Sequence, residues 1–215
     1  MQWKVKDPVS GLTHLIGALL SVAALVILVC GAAREGTSRH VVSFAVFGAS
    51  LILLYTASTL YHLLPLREKA TRALKRVDHM MIYVLIAGTC TPISLVALRG
   101  AWGWSVLGSI WGLAVLGIIM KIIWLNAPRW FSTLIYVVMG WLVVIAFPPL
   151  LRAVPLNGIC WLVAGGILYT AGAVIYGIKK PNLIKGFGFH EIFHLFVMAG
   201  SYGHFWLMYR YILHV

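Results

Sequence analysis

The sequence predicts an all-α membrane protein, a bundle of seven transmembrane helices, and three observations support this fold class. The composition is 61% hydrophobic and only 10% charged, with a mean hydropathy of +0.94. The apolar residues fall into seven segments, each near the roughly 20 residues that a helix needs to cross a bilayer. Most basic residues lie in the short breaks between these segments. A water-soluble fold is excluded because so few polar residues could not cover its surface.

The seven segments follow one another along the chain with no room for a soluble domain, so residues 1–215 are predicted to form one transmembrane domain. The predicted spans are about 12–33, 41–64, 78–98, 102–124, 131–150, 156–178 and 189–212. Charged and turn-forming residues mark the breaks between them, at 34–40, 65–76, 99–100, 126–129, 152–155 and 179–185. The first segment is too long for a signal-peptide core and lacks a plausible cleavage site, so we expect it to remain as a span.

The distribution of basic residues predicts the orientation of the bundle. Of the 17 Lys and Arg residues, twelve fall in the N-terminus, within the second, fourth and sixth breaks or, for Lys121, just before the fourth break; Lys4 and Lys185 are among them. The positive-inside rule therefore places the N-terminus in the cytoplasm and, with seven spans, the C-terminus outside the cytoplasm. The net charge of +12 does not indicate nucleic-acid binding, because no basic and aromatic surface exists outside the apolar segments.

Small residues inside the spans are expected to serve packing. Cys30, Cys90 and Cys160 each lie within an apolar segment without C-x-x-C spacing, which excludes a disulfide framework and a thiolate metal cluster. We expect all three to be buried as small apolar side chains. The sequence GSIWG, from Gly108 to Gly112, predicts a site of close helix packing.

Polar residues from three different spans are predicted to meet at one depth in the membrane. Ser58 and His62 lie in the last turns of the second span, and Asp78 opens the third. His190 and His194 open the seventh span. The end of the second span and the beginnings of the third and seventh face the same side of the bilayer. An ionisable group in apolar surroundings needs a partner or a metal ion.

The spacing of these residues predicts a zinc site. His190 and His194 are four residues apart and share one helix face, so both imidazoles can bind one cation, and Ser58 lies one turn from His62. Three histidines and a water form a common open zinc site, in which Asp78 could bind or orient the water. Imidazole ligands alone also suit iron, nickel or copper, but those metals usually take other geometries or more ligands.

The seventh span also contains H-E-x-x-H, a pattern found in zinc proteases, which raises a competing interpretation. Those enzymes take a third ligand C-terminal to the motif, yet the 21 residues after His194 include no Asp or Glu. His204 is ten residues on, which is about 15 Å along a helix and too far to share the metal. We therefore reject a protease, and we expect Glu191 near the helix N-terminus, where a negative charge is favoured.

Taken together, these motifs resemble the hemolysin III family, bacterial relatives of the progestin and adipoQ receptors. The resemblance covers nearly the whole chain and includes the opening PVSGLTHLIG, with Thr13 and His14. It implies a zinc ion on the cytoplasmic side, bound by residues matching His62, His190 and His194, with Asp78 reaching it through water and Glu191 not a ligand. It also implies a multi-pass protein of the cell membrane, the inner membrane of a bacterium. The wider superfamily includes the alkaline ceramidases, which implies hydrolysis of lipid amide or ester bonds.

Two functions follow as hypotheses. In the first, the chain is a zinc-dependent hydrolase of membrane lipids, with Asp78 as proton acceptor and Ser58 assisting at the oxyanion. In the second, the zinc is structural, and the protein is a receptor, a regulator of membrane lipids or a hemolysin-like protein. A pore is disfavoured because no span repeats polar residues along one face. We expect a structural hydrogen bond for His14 and place His79 outside the site.

Overall fold

The computed structural model describes residues 6–184 and 186–215, and helices account for nearly all of them. Seven long helical segments cover the regions predicted to be spans. They are α1 (Pro8–Glu35), α2 (Ser38–Leu63), α3 (Glu68–Pro92) continued by a π-helical segment (Ile93–Leu98), α4 (Gly100–Ile123), α5 (Arg129–Trp141) continued through a 3-10 segment (Leu142–Ala146) into α6 (Phe147–Ala153), α7 (Leu156–Ile178), and α8 (Phe189–Arg210). A short 3-10 turn (Ile212–His214) follows α8.

Six of these segments are long and apolar enough to cross a membrane: α1, α2, α3 with its π-helical extension, α4, the continuous α5–α6 segment, and α7. The remaining helix, α8, has 22 residues, which at 1.5 Å per residue is about 33 Å and long enough to span. It is less apolar because it carries three histidines, a glutamate and an arginine. Of the basic residues used to orient the bundle, Lys4 and Lys185 lie outside the described residues.

The beginning of α3 differs from the prediction. The third span was expected from residue 78, whereas the helix begins at Glu68, ten residues earlier. The additional turns are charged and carry an exposed i,i+4 ion pair between Glu68 and Arg72, with an N···O distance of 3.2 Å. Hydropathy detects the apolar part of a helix, but backbone hydrogen bonds continue into turns whose side chains are polar.

The core and the outer surface of the bundle are both apolar. Buried side chains form a larger cluster that includes Phe44, Phe47 and Met208, and a smaller one that includes Tyr83 and Ile110. Large apolar side chains also cover the outside, such as Leu19, Trp104 and Ile123. An apolar exterior of this extent suits contact with lipid rather than water.

Two expectations about small residues are wrong. Only Cys90 is buried, whereas Cys30 and Cys160 are exposed on the outer surface, where lipid solvates a small apolar side chain as well as the core does. Gly108 and Gly112 face open space, since a Cβ built on either would have no atom within 4 Å. An apolar pattern alone does not tell which face of a span points inward, because both faces are apolar.

Close helix packing instead occurs where α3 meets α2. Gly88 on α3 lies directly against Ser50, and a Cβ added at Gly88 would be 2.6 Å from Ser50 Cβ. Ser50 is itself buried and bonded to the Phe47 carbonyl oxygen at 2.7 Å. This contact fixes the spacing between the helix that carries Ser58 and His62 and the helix that carries Asp78.

We expect Gly88→Ala to destabilise the protein by about 1–3 kcal/mol, because the new methyl group overlaps an atom fixed to the backbone of α2. The measurement is thermal unfolding of the purified protein in detergent, where the melting temperature should fall. Gly112→Ala is the matched control, since it adds the same methyl group to a helix face with no neighbour within 4 Å. Equal melting temperatures for the two variants would contradict this account of the α2–α3 contact.

Candidate metal centre

Three histidines from two helices meet at one end of the bundle and could hold a metal ion. His62 lies in the last turn of α2, and His190 and His194 lie in the first turns of α8. Their ligand atoms all lie within 4.8 Å of one another. The Nε2 atoms of His62 and His190 are 3.2 Å apart. Two nitrogens bound to one tetrahedral zinc at about 2.05 Å would be roughly 3.3 Å apart, so the observed spacing fits such an ion.

Hydrogen-bond acceptors on the far side of two of these rings set the orientation of their ligand atoms. His194 Nδ1 lies 3.2 Å from the carbonyl oxygen of Ser10, to which it can donate. His62 Nδ1 lies 3.2 Å from Asp7 Oδ2. A proton on each Nδ1 leaves the Nε2 lone pair free for a cation, the arrangement common to histidine ligands of metals. These contacts therefore favour the ligand-competent tautomer for two of the three imidazoles.

The beginning of α1 supports the histidine cluster, a contribution that the sequence analysis missed. Besides these two acceptors, the Asp7 backbone N–H donates to the His62 carbonyl oxygen at 3.1 Å. The Ser10 hydroxyl donates to Glu191 Oε1 at 2.5 Å. Asp7, Ser10 and His14 are spaced at i, i+3 and i+7, which places them on one helix face. That periodicity was a usable signal, although Asp7 precedes the apolar segment.

His14 packs against the cluster rather than making the structural hydrogen bond expected for it. Its ring is stacked on the His194 ring, with centroids 3.5 Å apart and an interplanar angle of 8°. The Tyr55 ring meets it edge-on at 5.0 Å. Both ring nitrogens are buried and have no hydrogen-bond partner among the described residues. The His14 ring therefore packs against one face of the His194 imidazole.

Glu191 serves the N-terminus of α8, as predicted. Its Oε2 accepts a hydrogen bond from the Gly188 backbone N–H at 2.8 Å, and its Oε1 accepts from Ser10. Both carboxylate oxygens are therefore engaged, and Glu191 is not part of the metal-binding group. His204 also lies outside that group and packs against Gly165 of α7. These placements agree with the rejection of a protease site.

The histidines open into a cavity of about 660 Å³ whose wall also includes Asp78 and Ser58. This volume lies within the roughly 300–1,000 Å³ typical of small-molecule sites. Ser58 is 1% exposed, and its hydroxyl has no hydrogen-bond partner in the described structure. The cavity continues between the helices past apolar residues such as Ile93 and Phe147. The five residues singled out from the sequence thus share one cavity.

His79 also lines this cavity, contrary to the expectation that it lies outside the site. Its Nδ1 is buried and has no hydrogen-bond partner in the structure described. It lies on the part of the wall formed by α3, α4 and α5 and is not a member of the metal-binding group. The expectation failed because the cavity is wide enough to reach two faces of α3.

A comparison with known protein families identifies the family of this chain. Residues 2–205 match the family model described as haemolysin-III related. The chain belongs to this family. The haemolysin-III relationship confirms the resemblance inferred from the motifs, and together with the six apolar helices it identifies a multi-pass membrane protein.

Individual relatives of this haemolysin-III-related chain span bacteria and mammals. Hemolysin-3 of Bacillus cereus is 42% identical over 212 residues, which are 99% of this chain and 94% of the relative. The Hemolysin-3 homolog of Bacillus subtilis (strain 168) is 42% identical over 198 residues, covering 92% and 90% of the two chains. The human monocyte to macrophage differentiation factor is 26% identical over 174 residues, covering 78% and 69%. The relationship therefore extends over nearly the entire bundle.

We expect His62→Ala to remove most of the metal bound to the purified haemolysin-III-related protein, because α8 alone offers only two of the three imidazoles. Elemental analysis of metal per chain measures the loss. His40→Ala is the matched control, since His40 is also buried on α2 but lies 22 residues earlier, about 33 Å along the helix. Equal metal content in the two variants would show that the cluster does not hold the ion.

Proposed function

We propose that this protein is a zinc-dependent hydrolase that cleaves amide or ester bonds of membrane lipids. One observation carries the proposal: a three-histidine cluster, a carboxylate and a serine hydroxyl without a partner line the same cavity. These are the groups that metal-assisted hydrolysis of a carbonyl compound requires.

Zinc is the metal that fits this donor set best. Three imidazoles without a thiolate leave one position of a tetrahedral ion open, as catalytic zinc sites do. The acceptors at Asp7 and Ser10 orient two of the rings and increase their basicity as ligands. When bound, such an ion polarises a carbonyl oxygen and makes water more acidic, with a pKa of about 7 in well-studied enzymes.

The remaining steps fall to side chains of this chain. The Asp78 carboxylate accepts the proton of the attacking water and later returns it to the leaving amine or alcohol. The Ser58 hydroxyl is close to the Asp78 carboxylate, although it makes no hydrogen bond of ordinary geometry in the described structure. It donates its hydrogen to the oxyanion that develops on the carbonyl oxygen. Glu191 takes no part, because both its oxygens already accept hydrogen bonds.

The walls of the cavity favour a lipid as substrate. Away from the polar groups the lining is largely aliphatic and aromatic, with residues such as Leu85, Ile93 and Phe147. An acyl chain gains roughly 0.8 kcal/mol for each methylene that it buries against such a surface. The apolar exterior places the protein in the bilayer, which supplies such chains.

We expect Asp78→Asn to lower zinc-dependent hydrolysis about 10²–10⁴-fold, because the amide cannot accept a proton. The metal content should be unchanged, since the three histidines remain. Turnover is measured with purified protein on panels of ceramides, fatty amides and phospholipids. Glu68→Gln, which neutralises an exposed carboxylate at the start of α3, is the control and should retain full activity. Absence of zinc-dependent turnover by the unmodified protein on every panel would refute the proposal.

A structural metal is the second candidate, favoured by the way the cluster joins separate helices. The histidines link α2 to α8, and Asp7 and Ser10 add the start of α1. An ion there would stabilise the bundle without chemistry, as suits a receptor, a regulator of membrane lipids or a hemolysin-like protein. If Asp78→Asn keeps full biological activity while His62→Ala abolishes it, this second function replaces the first.

We also propose that the cluster lies on the cytoplasmic side of the cell membrane, with the N-terminus inside. The charge asymmetry of the loops supports this orientation. In cells carrying variants without native cysteines, Glu68→Cys should react with a membrane-impermeant thiol reagent only after permeabilisation. Arg34→Cys, an exposed position at the other end of the bundle, should react in intact cells. The reverse pattern would place the cluster outside.

A further inference from the structure

We propose that Lys75, Lys121 and Arg129 form a phosphoryl-binding site on the wall of the same cavity, assisted by His79 and Ser132. All five residues line the cavity, and none belongs to the histidine cluster. They lie on α3, α4 and α5, whereas the cluster lies on α2 and α8. The cavity therefore contains a second set of polar side chains besides the histidine cluster.

Lys121 is the residue that most requires a partner. It is only 2% exposed, and its ammonium donates to Ser132 Oγ at 2.7 Å. Within the described residues no carboxylate lies within 4.0 Å of it. A lysine near the end of a span normally extends its charge to the membrane surface, and burying an unpaired charge is expensive. An ammonium has three N–H donors, so two remain for a ligand.

Lys75 and Arg129 add to the positive charge on this wall. Lys75 lies in the early turns of α3, and Arg129 is the first residue of α5. All three cationic groups line the cavity that the His79 ring also lines. The buried His79 Nδ1 has no hydrogen-bond partner in the structure described. Tyr136 donates to the backbone oxygen of His79 and not to its ring. The N-terminus of α5 contributes further positive potential.

The acidic residues of the cavity do not neutralise this group. Asp7 contacts His62 and Lys6, at 3.2 and 3.8 Å. Glu191 is engaged by Ser10 and the Gly188 backbone. Asp78 makes no salt bridge within the described residues. The asymmetry of basic loops accounts for Lys75 and Arg129, but it does not account for a lysine turned inward. An anionic ligand supplies the missing counter-charge.

The chemistry of the donors favours a phosphoryl group. Two ammonium groups and a guanidinium, carried on α4, α3 and α5, line the same cavity, and this donor set suits a tetrahedral anion with several acceptor oxygens. The ligand is either the headgroup of a phospholipid or a soluble phosphate ester. In the first case, which rests on the proposed function, the substrate is a lipid with a phosphoryl headgroup bound here and its acyl carbonyl at the histidine cluster.

The test measures binding rather than turnover. Native mass spectrometry of the full chain in uncharged detergent compares phosphatidic acid with diacylglycerol of the same acyl chains. We expect phosphatidic acid to bind about tenfold more tightly, and Lys121→Gln to reduce this preference to about threefold or less, since a charge-assisted hydrogen bond is lost. Lys121→Arg should retain the preference. Lys69→Gln, which removes an exposed charge outside the cavity, is the control.

A second variant provides a test that does not depend on correct folding of Lys121→Gln, in which a buried residue is replaced. Arg129 is exposed at the start of α5, and its guanidinium carbon lies 5.3 and 5.9 Å from the ring centroids of Tyr176 and Phe189. Arg129→Gln should therefore lower the melting temperature only slightly, by the loss of exposed cation–π contacts, and still weaken the preference for phosphatidic acid. Competition with inorganic phosphate and glycerol 3-phosphate separates the two sources of the ligand. Displacement at millimolar concentration indicates a soluble phosphate ester, and failure to displace indicates a lipid headgroup. Equal binding of phosphatidic acid and diacylglycerol overturns the site.

The outcomes also separate this site from the proposed hydrolase. Loss of selectivity in Lys121→Gln, with no hydrolysis by any form of the protein, supports the phosphoryl site and refutes the hydrolase. Zinc-dependent hydrolysis at equal rates on neutral and phosphorylated lipids, with equal binding of both, supports the hydrolase and refutes the phosphoryl site.

Discussion

The histidine cluster and its cavity depend on hydrogen bonds for polar groups inside an apolar bundle. The contacts between α1, α2 and α8 provide these hydrogen bonds. Buried imidazoles and carboxylates are stabilised by partners in other helices, and several groups at this end of the bundle have them. Ser10 illustrates this, because its hydroxyl bonds Glu191 while its carbonyl oxygen accepts from His194. Asp7 bonds His62 through its side chain and its backbone. The first helix thus fixes both helices that supply the histidines, and the shape of the cavity follows from that.

The cavity is lined both by groups that suit a cation and by groups that suit an anion. Neutral imidazoles on α2 and α8 suit a cation, while the cationic groups on α3, α4 and α5 suit an anion. Apolar side chains make up much of the remaining lining and suit hydrocarbon. A molecule that carries an anionic group, a carbonyl and an acyl chain would satisfy all three surfaces together. The hydrolase and the phosphoryl site are therefore chemically compatible, although each stands on its own observations.

The parts of this structure that were predictable are those governed by simple periodicity. Hydropathy located all seven helical segments, and the alternation of their direction brought His62, His190 and His194 to one end of the bundle before any coordinates were considered. Asp7 was missed because it precedes an apolar segment, and its role arises from a contact with a residue 55 positions away. The outward position of Cys160 and the inward position of His79 could not be derived, because helix rotation in lipid is set by packing rather than by amphipathicity.

The polarity of α8 has a consequence for biogenesis. This helix leaves the ribosome after the other six and is the least suited of the seven to partition into lipid by hydrophobicity alone. Two of its polar groups have partners on other helices, since Ser10 donates to Glu191 and the Nε2 atoms of His62 and His190 are 3.2 Å apart. Stable insertion of α8 should therefore be coupled to its packing against α1 and α2.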